Sequence, residues 1–199
     1  MYKVVLVGNS NVGKTSIVTR MVKNVFFDVH ESTIGSAFVC LPYKNAQGVE
    51  EFKIGIWDTS GQEKYRCICP LYYRTSDIII ICFDITDRDS YDQITYWIRE
   101  IRRQFDELPY IIIVGNKNDL ANRFESSEKL TTRYPDYPFI EISAKTGCGV
   151  QKLHDLMVSY LLEIHITRPS IQSNQITLEQ KSEQKNEQKN EKSCSCYMR

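Results

Sequence analysis

The chain has no surplus of charge of either sign: 25 Lys and Arg stand against 25 Asp and Glu in 199 residues. Such a balance gives no bulk basic surface, which removes general attraction to nucleic acid as a function. A long apolar run is also missing. The longest, Ile78 to Phe83, is strand-sized, against the roughly 20 residues a membrane span needs. Met1-Tyr2-Lys3 leads straight into apolar residues and Gly8, without the layout of a secretory leader. Seven scattered cysteines, an odd number, do not make a disulfide framework and suit a reducing compartment. His30, His154 and His165 have no ligand spacing with cysteines, which argues against zinc. What is present is 42% hydrophobic content, enough for one sizeable core, so the chain is expected to be soluble, intracellular and single-domain.

Composition changes sharply near Arg168-Pro169. Residues 1–167 carry nearly all the large apolar side chains and are expected to form the folded domain. Residues 168–193 form a polar linker in which Glu179-Gln180-Lys181 recurs at 183–185 and 187–189. That repeat sets Glu on Glu and Lys on Lys at i,i+4 and has no apolar stripe, so disorder is expected rather than a helix. Four lysines balance four glutamates between 170 and 192, so the linker is not a polybasic membrane patch.

Within the domain, strand-like runs alternate with helical spacing. The runs are Lys3–Gly8, Ala37–Tyr43, Glu51–Asp58, Asp77–Asp84, Tyr110–Asn116 and Pro138–Ser143. Val4–Val7, Ile78–Phe83 and Ile111–Val114 are continuously apolar, as strands covered on both faces are. Asn45-Ala46-Gln47-Gly48 suits a hairpin and gives one antiparallel pair. Tyr91, Ile94, Ile98, Ile101 and Phe105 mark a helix capped near Asp89-Ser90, and Val150, Leu153, Leu156, Met157, Tyr160 and Leu161 mark another. The expected fold is α/β, a six-stranded, mostly parallel sheet with one antiparallel edge strand and about five flanking helices. Ligands then belong at the carboxyl ends of the strands.

Gly8-Asn9-Ser10-Asn11-Val12-Gly13-Lys14-Thr15 follows the first strand, opens a helix, and fits G-x4-G-K-[ST] at every fixed position. In this P-loop pattern, backbone N–H groups from Asn11 to Ser16 and the helix N-terminus cradle phosphate. Lys14 supplies a point charge to the β/γ-phosphates, and Thr15 offers a hard oxygen to Mg2+. These features indicate a nucleoside triphosphate without choosing its base. Asn116-Lys117-Asn118-Asp119 and Ser143-Ala144-Lys145, at the next two strand ends, favour guanine. A carboxylate at Asp119 accepts from guanine N1–H and its exocyclic amine, and adenine has no such donor pair. In Trp57-Asp58-Thr59-Ser60-Gly61-Gln62-Glu63, Asp58 is placed to reach Mg2+ through a water. Gly61 can present its N–H to the γ-phosphate, and Gln62 is the catalytic candidate that orients the attacking water.

With these motifs the chain resembles a Ras-superfamily small GTPase, and specifically a Rab. The Rab-like stretches are Ile34-Gly35-Ser36-Ala37-Phe38, Lys53–Asp58, Glu63-Lys64-Tyr65-Arg66, Tyr72-Tyr73-Arg74 and Phe83-Asp84-Ile85-Thr86. Ser32–Phe38 is most similar to the early-endosomal Rab subgroup. The resemblance implies that Thr33 joins Thr15 on Mg2+, that Phe26 packs on guanine and that Lys117 stacks beneath it. It places the Ala144 N–H near the guanine oxygen and Phe38, Trp57 and Tyr72 in an effector-facing aromatic triad. It further implies a monomeric switch that binds GTP and GDP, hydrolyses GTP slowly and regulates vesicle and endosomal traffic. The expected partners are an exchange factor, a GTPase-activating protein, a GDP-dissociation inhibitor, an escort protein and effectors. The expected place is the cytoplasmic face of endomembranes, the early endosome among them, in exchange with cytosol.

Three departures stand out. Ser60 replaces the usual Ala, which bears on the hydrolysis rate. The interval from Asp119 to Ser143 is short, so the helix near Glu125–Arg133 should be short too. Cys67-Ile68-Cys69 replaces a Ser/Leu/Ala-like stretch and reads as small, semi-buried residues on a helix. Residues 194–199 form the tail, where Cys194 and Cys196 are the expected geranylgeranyl sites; two chains are expected because one binds membrane only marginally. No arginine in the segments around Thr33 and Gln62 is an obvious internal finger, and Arg66 and Arg74 lie beyond Gln62 and suit the surface, so turnover should be slow until an activator adds about 10^3–10^5 in rate. The alternatives are a non-hydrolysing GTP-binding scaffold, an ATP-using kinase and a structural adaptor. Gln62 opposes the first, the guanine motifs the second, and Lys14 with Thr15 the third.

Overall fold

A computed structural model describes residues 1–28, 32–63 and 68–167. The element order is β1 (Tyr2–Val7), α1 (Lys14–Lys23), β2 (Ser36–Lys44), β3 (Glu50–Thr59), α2 (Cys69–Tyr73), β4 (Ile78–Asp84), α3 (Arg88–Gln104), β5 (Tyr110–Asn116), α4 (Ser127–Arg133), β6 (Phe139–Glu141) and α5 (Val150–Thr167). One compact unit runs from Met1 to Ser159 and a second begins at Tyr160, where the described part is the end of α5. Among the described residues, no helix is long and apolar enough to cross a membrane.

The six strands form one sheet in the order β2-β3-β1-β4-β5-β6. Every pairing is parallel except the edge pair β2–β3, as the sequence predicts. Alternation along the central strands sorts their side chains between two faces. Val5, Val7, Ile79, Ile81, Ile111 and Ile113 join a core that includes α2, α3 and α4. Val4, Leu6, Ile78, Ile80, Ile112 and Val114 point the other way and are equally buried. This double burial explains why β4 and β5 read as unbroken apolar runs, whereas edge strand β2 alternates in exposure. The turn at Asn45–Gly48 closes the hairpin through Gly48 N–H to Asn45 O and Asn45 N–H to Val49 O.

Two local expectations need correction. The α3 cap is Asp87, whose carboxylate accepts from Asp89 and Ser90 N–H, rather than Asp89-Ser90. The Ser90 hydroxyl is engaged elsewhere, with Asp84 and Asp87 backbone. β6 is shorter than 138–143 because Ile142 O accepts from Asn118 N–H and Ser143 N–H turns to Cys148 O, drawing the chain into a loop. The expected short helix is found as α4, with the Ser126 hydroxyl accepting from Lys129 N–H as its cap.

Candidate active site

The chain reverses its direction of travel across the sheet at β1, whose neighbours are β3 and β4. The loops after β1, β3, β5 and β6 therefore gather at the carboxyl ends of their strands, where open α/β sheets bind ligands. There a cavity of about 560 Å³ is lined by Asn11, Gly13, Lys14, Thr15, Ser16, Phe26, Thr33, Gly61, Gln62, Asn116, Lys117, Asp119, Ala144 and Lys145. All of these are residues the sequence predicts. Val12, Asp58 and Ser143 lie behind the lining, each buried.

At one end the P-loop turns into α1. Gly13 sits at the helix N-cap with φ 90°, and a Cβ there would lie 2.3 Å from the Asn116 amide nitrogen, so both conformation and space demand glycine. Lys14 is 5% exposed, and its Nζ donates to Gly8 O at 2.9 Å and Asn9 O at 2.7 Å. Burial pulls its pKa below the ordinary lysine value, with Cys82, Asp58 and Cys69 acting in the opposite direction. A buried ammonium held by neutral carbonyls is a seat for an anion. Beside it, Thr15 Oγ1 donates to Asp58 Oδ2 at 2.6 Å and lies 2.9 Å from Thr33 Oγ1. The Thr15 proton goes to Asp58, so Thr33 is the donor of that second bond. Two hydroxyls and a carboxylate from three separate elements thus converge, a hard-oxygen set that fits Mg2+.

The base end is built by cross-bracing. Asn116 Nδ2 donates to Val12 O at 2.9 Å, and its Oδ1 accepts from Ala144 N–H at 3.0 Å. One buried amide therefore joins the loops after β1, β5 and β6. Ser143 Oγ donates to Asp119 Oδ1 at 2.6 Å and accepts from Thr146 N–H at 3.0 Å. Asp119 itself is exposed at the rim. Lys117 holds a left-handed φ of 67°, a conformation costing about 1 kcal/mol or more for a side chain. Its Nζ pairs with Asp84 Oδ2 at 2.7 Å.

At the hydrolytic end, Gln62 lines the cavity and Ser60 N–H donates to Gly35 O at 2.8 Å, joining the segments around Thr33 and Gln62. Gly61 lies so close to the P-loop that a Cβ would fall 2.3 Å from Asn9 O. The buried Ser60 hydroxyl accepts from Gln62 N–H at 3.4 Å. The aromatic triad is assembled outside the cavity. Phe38 and Trp57 are partners in the β2–β3 register with rings 5.0 Å apart, and Trp57 lies 6.1 Å from Tyr72. Ile34 and Leu71 are exposed.

Asp84 and Phe27 were not assigned to the site from sequence. Asp84 ends β4, a parallel strand, which is a positional signal for ligand contact. It also accepts from Thr86 N–H and Oγ1, so its carboxylate is fixed before Lys117 meets it. Phe27 lines the cavity beside Phe26, and nothing in the residue pattern distinguishes it. Cys69 is buried in the core at the start of α2. Lys64, Tyr65, Arg66, Cys67, the 168–193 linker, Cys194 and Cys196 lie outside the described residues.

The model of the Ras family matches residues 3–163. The chain is 32% identical over 185 residues to Ras-related protein RabC of Dictyostelium discoideum, covering 91% of this chain and 93% of that one. It is 42% identical over 157 residues to GTP-binding protein ypt5 of Schizosaccharomyces pombe, covering 76% and 73%. Against Ras-related protein Rab-5A of Dictyostelium discoideum the figures are 38% over 175 residues, covering 84% of each. Fold, motif order and these similarities agree: the chain belongs to the Ras family, as a small GTPase of the Rab type that binds and hydrolyses GTP in vesicle traffic.

Proposed function

We propose that this GTPase is an endosomal switch whose cavity reads guanine at one end and the terminal phosphate at the other. The observation that carries the reading is the joining of Thr15, Thr33 and Asp58 beside buried Lys14, in the same cavity as Asp119 and Ala144. The P-loop N–H groups and Lys14 bind the phosphates, while Thr15 and Thr33, with Asp58 through a water, would hold Mg2+. The ion, when bound, neutralises charge on the phosphate oxygens. Phe26 and the Lys117 stem cover the base faces. Asp119 accepts from the guanine edge while Ser143 fixes its carboxylate.

Gln62 orients the water that attacks the γ-phosphate. With the phosphate present, Thr33 and Gly61 are held towards it; its loss releases both segments, and the Phe38–Trp57–Tyr72 surface changes with them. The same reading gives the chain an exchange factor, a GTPase-activating protein, a GDP-dissociation inhibitor and an escort protein. Prenyl groups on Cys194 and Cys196 would secure it to the cytoplasmic face of endosomal membranes. The names of ypt5 and Rab-5A support the Rab assignment on which that location rests.

Fluorescent GDP bound by the full-length protein should be displaced by GTP and GDP and not by ATP, and removing Mg2+ should speed its release. Single-turnover hydrolysis should be slow, and Gln62→Leu slower still. Displacement by ATP as effective as by GTP would overturn the base assignment, and absence of any hydrolysis would favour the GTP-binding scaffold.

A further inference from the structure

Arg20 lies on α1, half-buried, and its guanidinium leaves the helix to meet three backbone carbonyls. Nε donates to Ala144 O at 2.8 Å, Nη2 to Lys145 O at 2.6 Å and Nη1 to Asn24 O at 2.8 Å. The first two acceptors belong to the loop that lines the base end of the cavity. The third ends α1, where Asn24 turns left-handed at φ 54° and the chain leads to Phe26 two residues on. The stem of Arg20 runs beneath Gly147, where an added Cβ would lie 3.8 Å from Cδ.

The loop after β6 is therefore pinned from two sides. From within, Asn116 holds the Ala144 N–H and Asp119 holds the Ser143 hydroxyl. From without, Arg20 holds the Ala144 and Lys145 carbonyls. A planar fork with five N–H groups can serve acceptors in three directions at once; a lysine ammonium on a flexible stem lacks that preorganised span.

We propose that Arg20 is a positioning residue for nucleotide retention, fixing the Ala144–Lys145 backbone against the base and linking it to the root of the segment that carries Phe26. Arg20 touches no phosphate and takes no part in hydrolysis. Its loss lets the base end open while the chemistry at Gln62 is preserved. The proposal rests on the guanine-binding reading of this cavity.

The test compares wild type, Arg20→Met and Arg20→Lys as full-length proteins with Mg2+ present. Release of fluorescent GDP into excess GDP and single-turnover hydrolysis of preloaded GTP are both measured. Release should quicken about tenfold or more in Arg20→Met, from loss of charge-assisted bonds, and by a smaller factor in Arg20→Lys. The hydrolysis rate constant should stay within twofold in both. If Arg20→Met does not fold, Arg20→Lys carries the test, with threefold faster release as its threshold. Release within twofold of wild type overturns the proposal, as does hydrolysis that slows by the same factor as release quickens, which marks general loosening. Wild type that holds no guanine nucleotide would overturn the reading of the site itself.

Discussion

The two ends of the cavity are held in different ways. At the base end, side chains brace one loop against another: Asn116 grips the backbone of the loops after β1 and β6, Ser143 clamps the Asp119 carboxylate, and Asp84 holds the Lys117 ammonium. At the phosphate end, two hydrogen bonds tie residues 32–35 to the site among the described residues, Thr33 to Thr15 and Gly35 O to Ser60 N–H. Cross-braced groups lose little freedom when a ligand arrives, so the base end favours retention. A segment held by few bonds can answer to one phosphate group. On the proposed reading, that division of labour along a single cavity would let the protein keep its nucleotide while changing its surface.

This contrast can be broken at either end. Asp119→Asn places an amide donor where guanine needs an acceptor, and should weaken GDP binding by about 10^3-fold or more, measured by titration. Lys14→Met removes the buried charge, and GDP and GTP affinity should both fall by about 10- to 100-fold. Gln62→Leu should slow single-turnover hydrolysis by about 100-fold while GDP affinity stays within twofold, separating the ends most cleanly. Ser60→Ala removes the hydroxyl that meets Gln62 N–H and should change hydrolysis by about two- to fivefold, leaving GDP release unaltered.

The smallest effect concerns the support of the base end. Arg123 is paired with Glu141 on β6 through Nη2 to Oε2 at 2.7 Å, and Ser127 also bonds that carboxylate. The Arg123 hydrogen bond holds the Glu141 pKa below the ordinary glutamate value, so its stabilisation is present above the unfolded pKa and is lost as pH falls through the folded one. Arg123→Met should lower stability by about 1 kcal/mol at neutral pH, and the difference from wild type should vanish in acid, as denaturant titrations would show.

Much of this was legible in the sequence, and the reasons differ by region. β4 and β5 announce themselves because a strand covered on both faces must be apolar throughout. The P-loop does so because Gly13 makes a left-handed turn with no room for a Cβ and Lys14 sets a buried charge beside it. The position of the α3 cap was obscured because three residues within four positions, Asp87, Asp89 and Ser90, all suit caps, and only backbone geometry selects Asp87. Arg20 and Asp84 were not legible as site residues because their roles depend on partners far along the chain: Ala144 for one, Lys117 for the other. Pattern reading finds bracing residues such as Asn116 and Ser143 when they sit inside a motif, but not Arg20 and Asp84, which lie outside one.

The antiparallel register of β2 and β3 sets Ser36 opposite Thr59 at one end of the hairpin and Lys44 opposite Glu50 at the other. Thr33 and Gln62 are thereby delivered to the same end whatever happens at the turn around Gly48. That turn makes a natural insertion point: a short flexible reporter spliced there would extend the hairpin's far tip and leave the timing of the GTP cycle as it was.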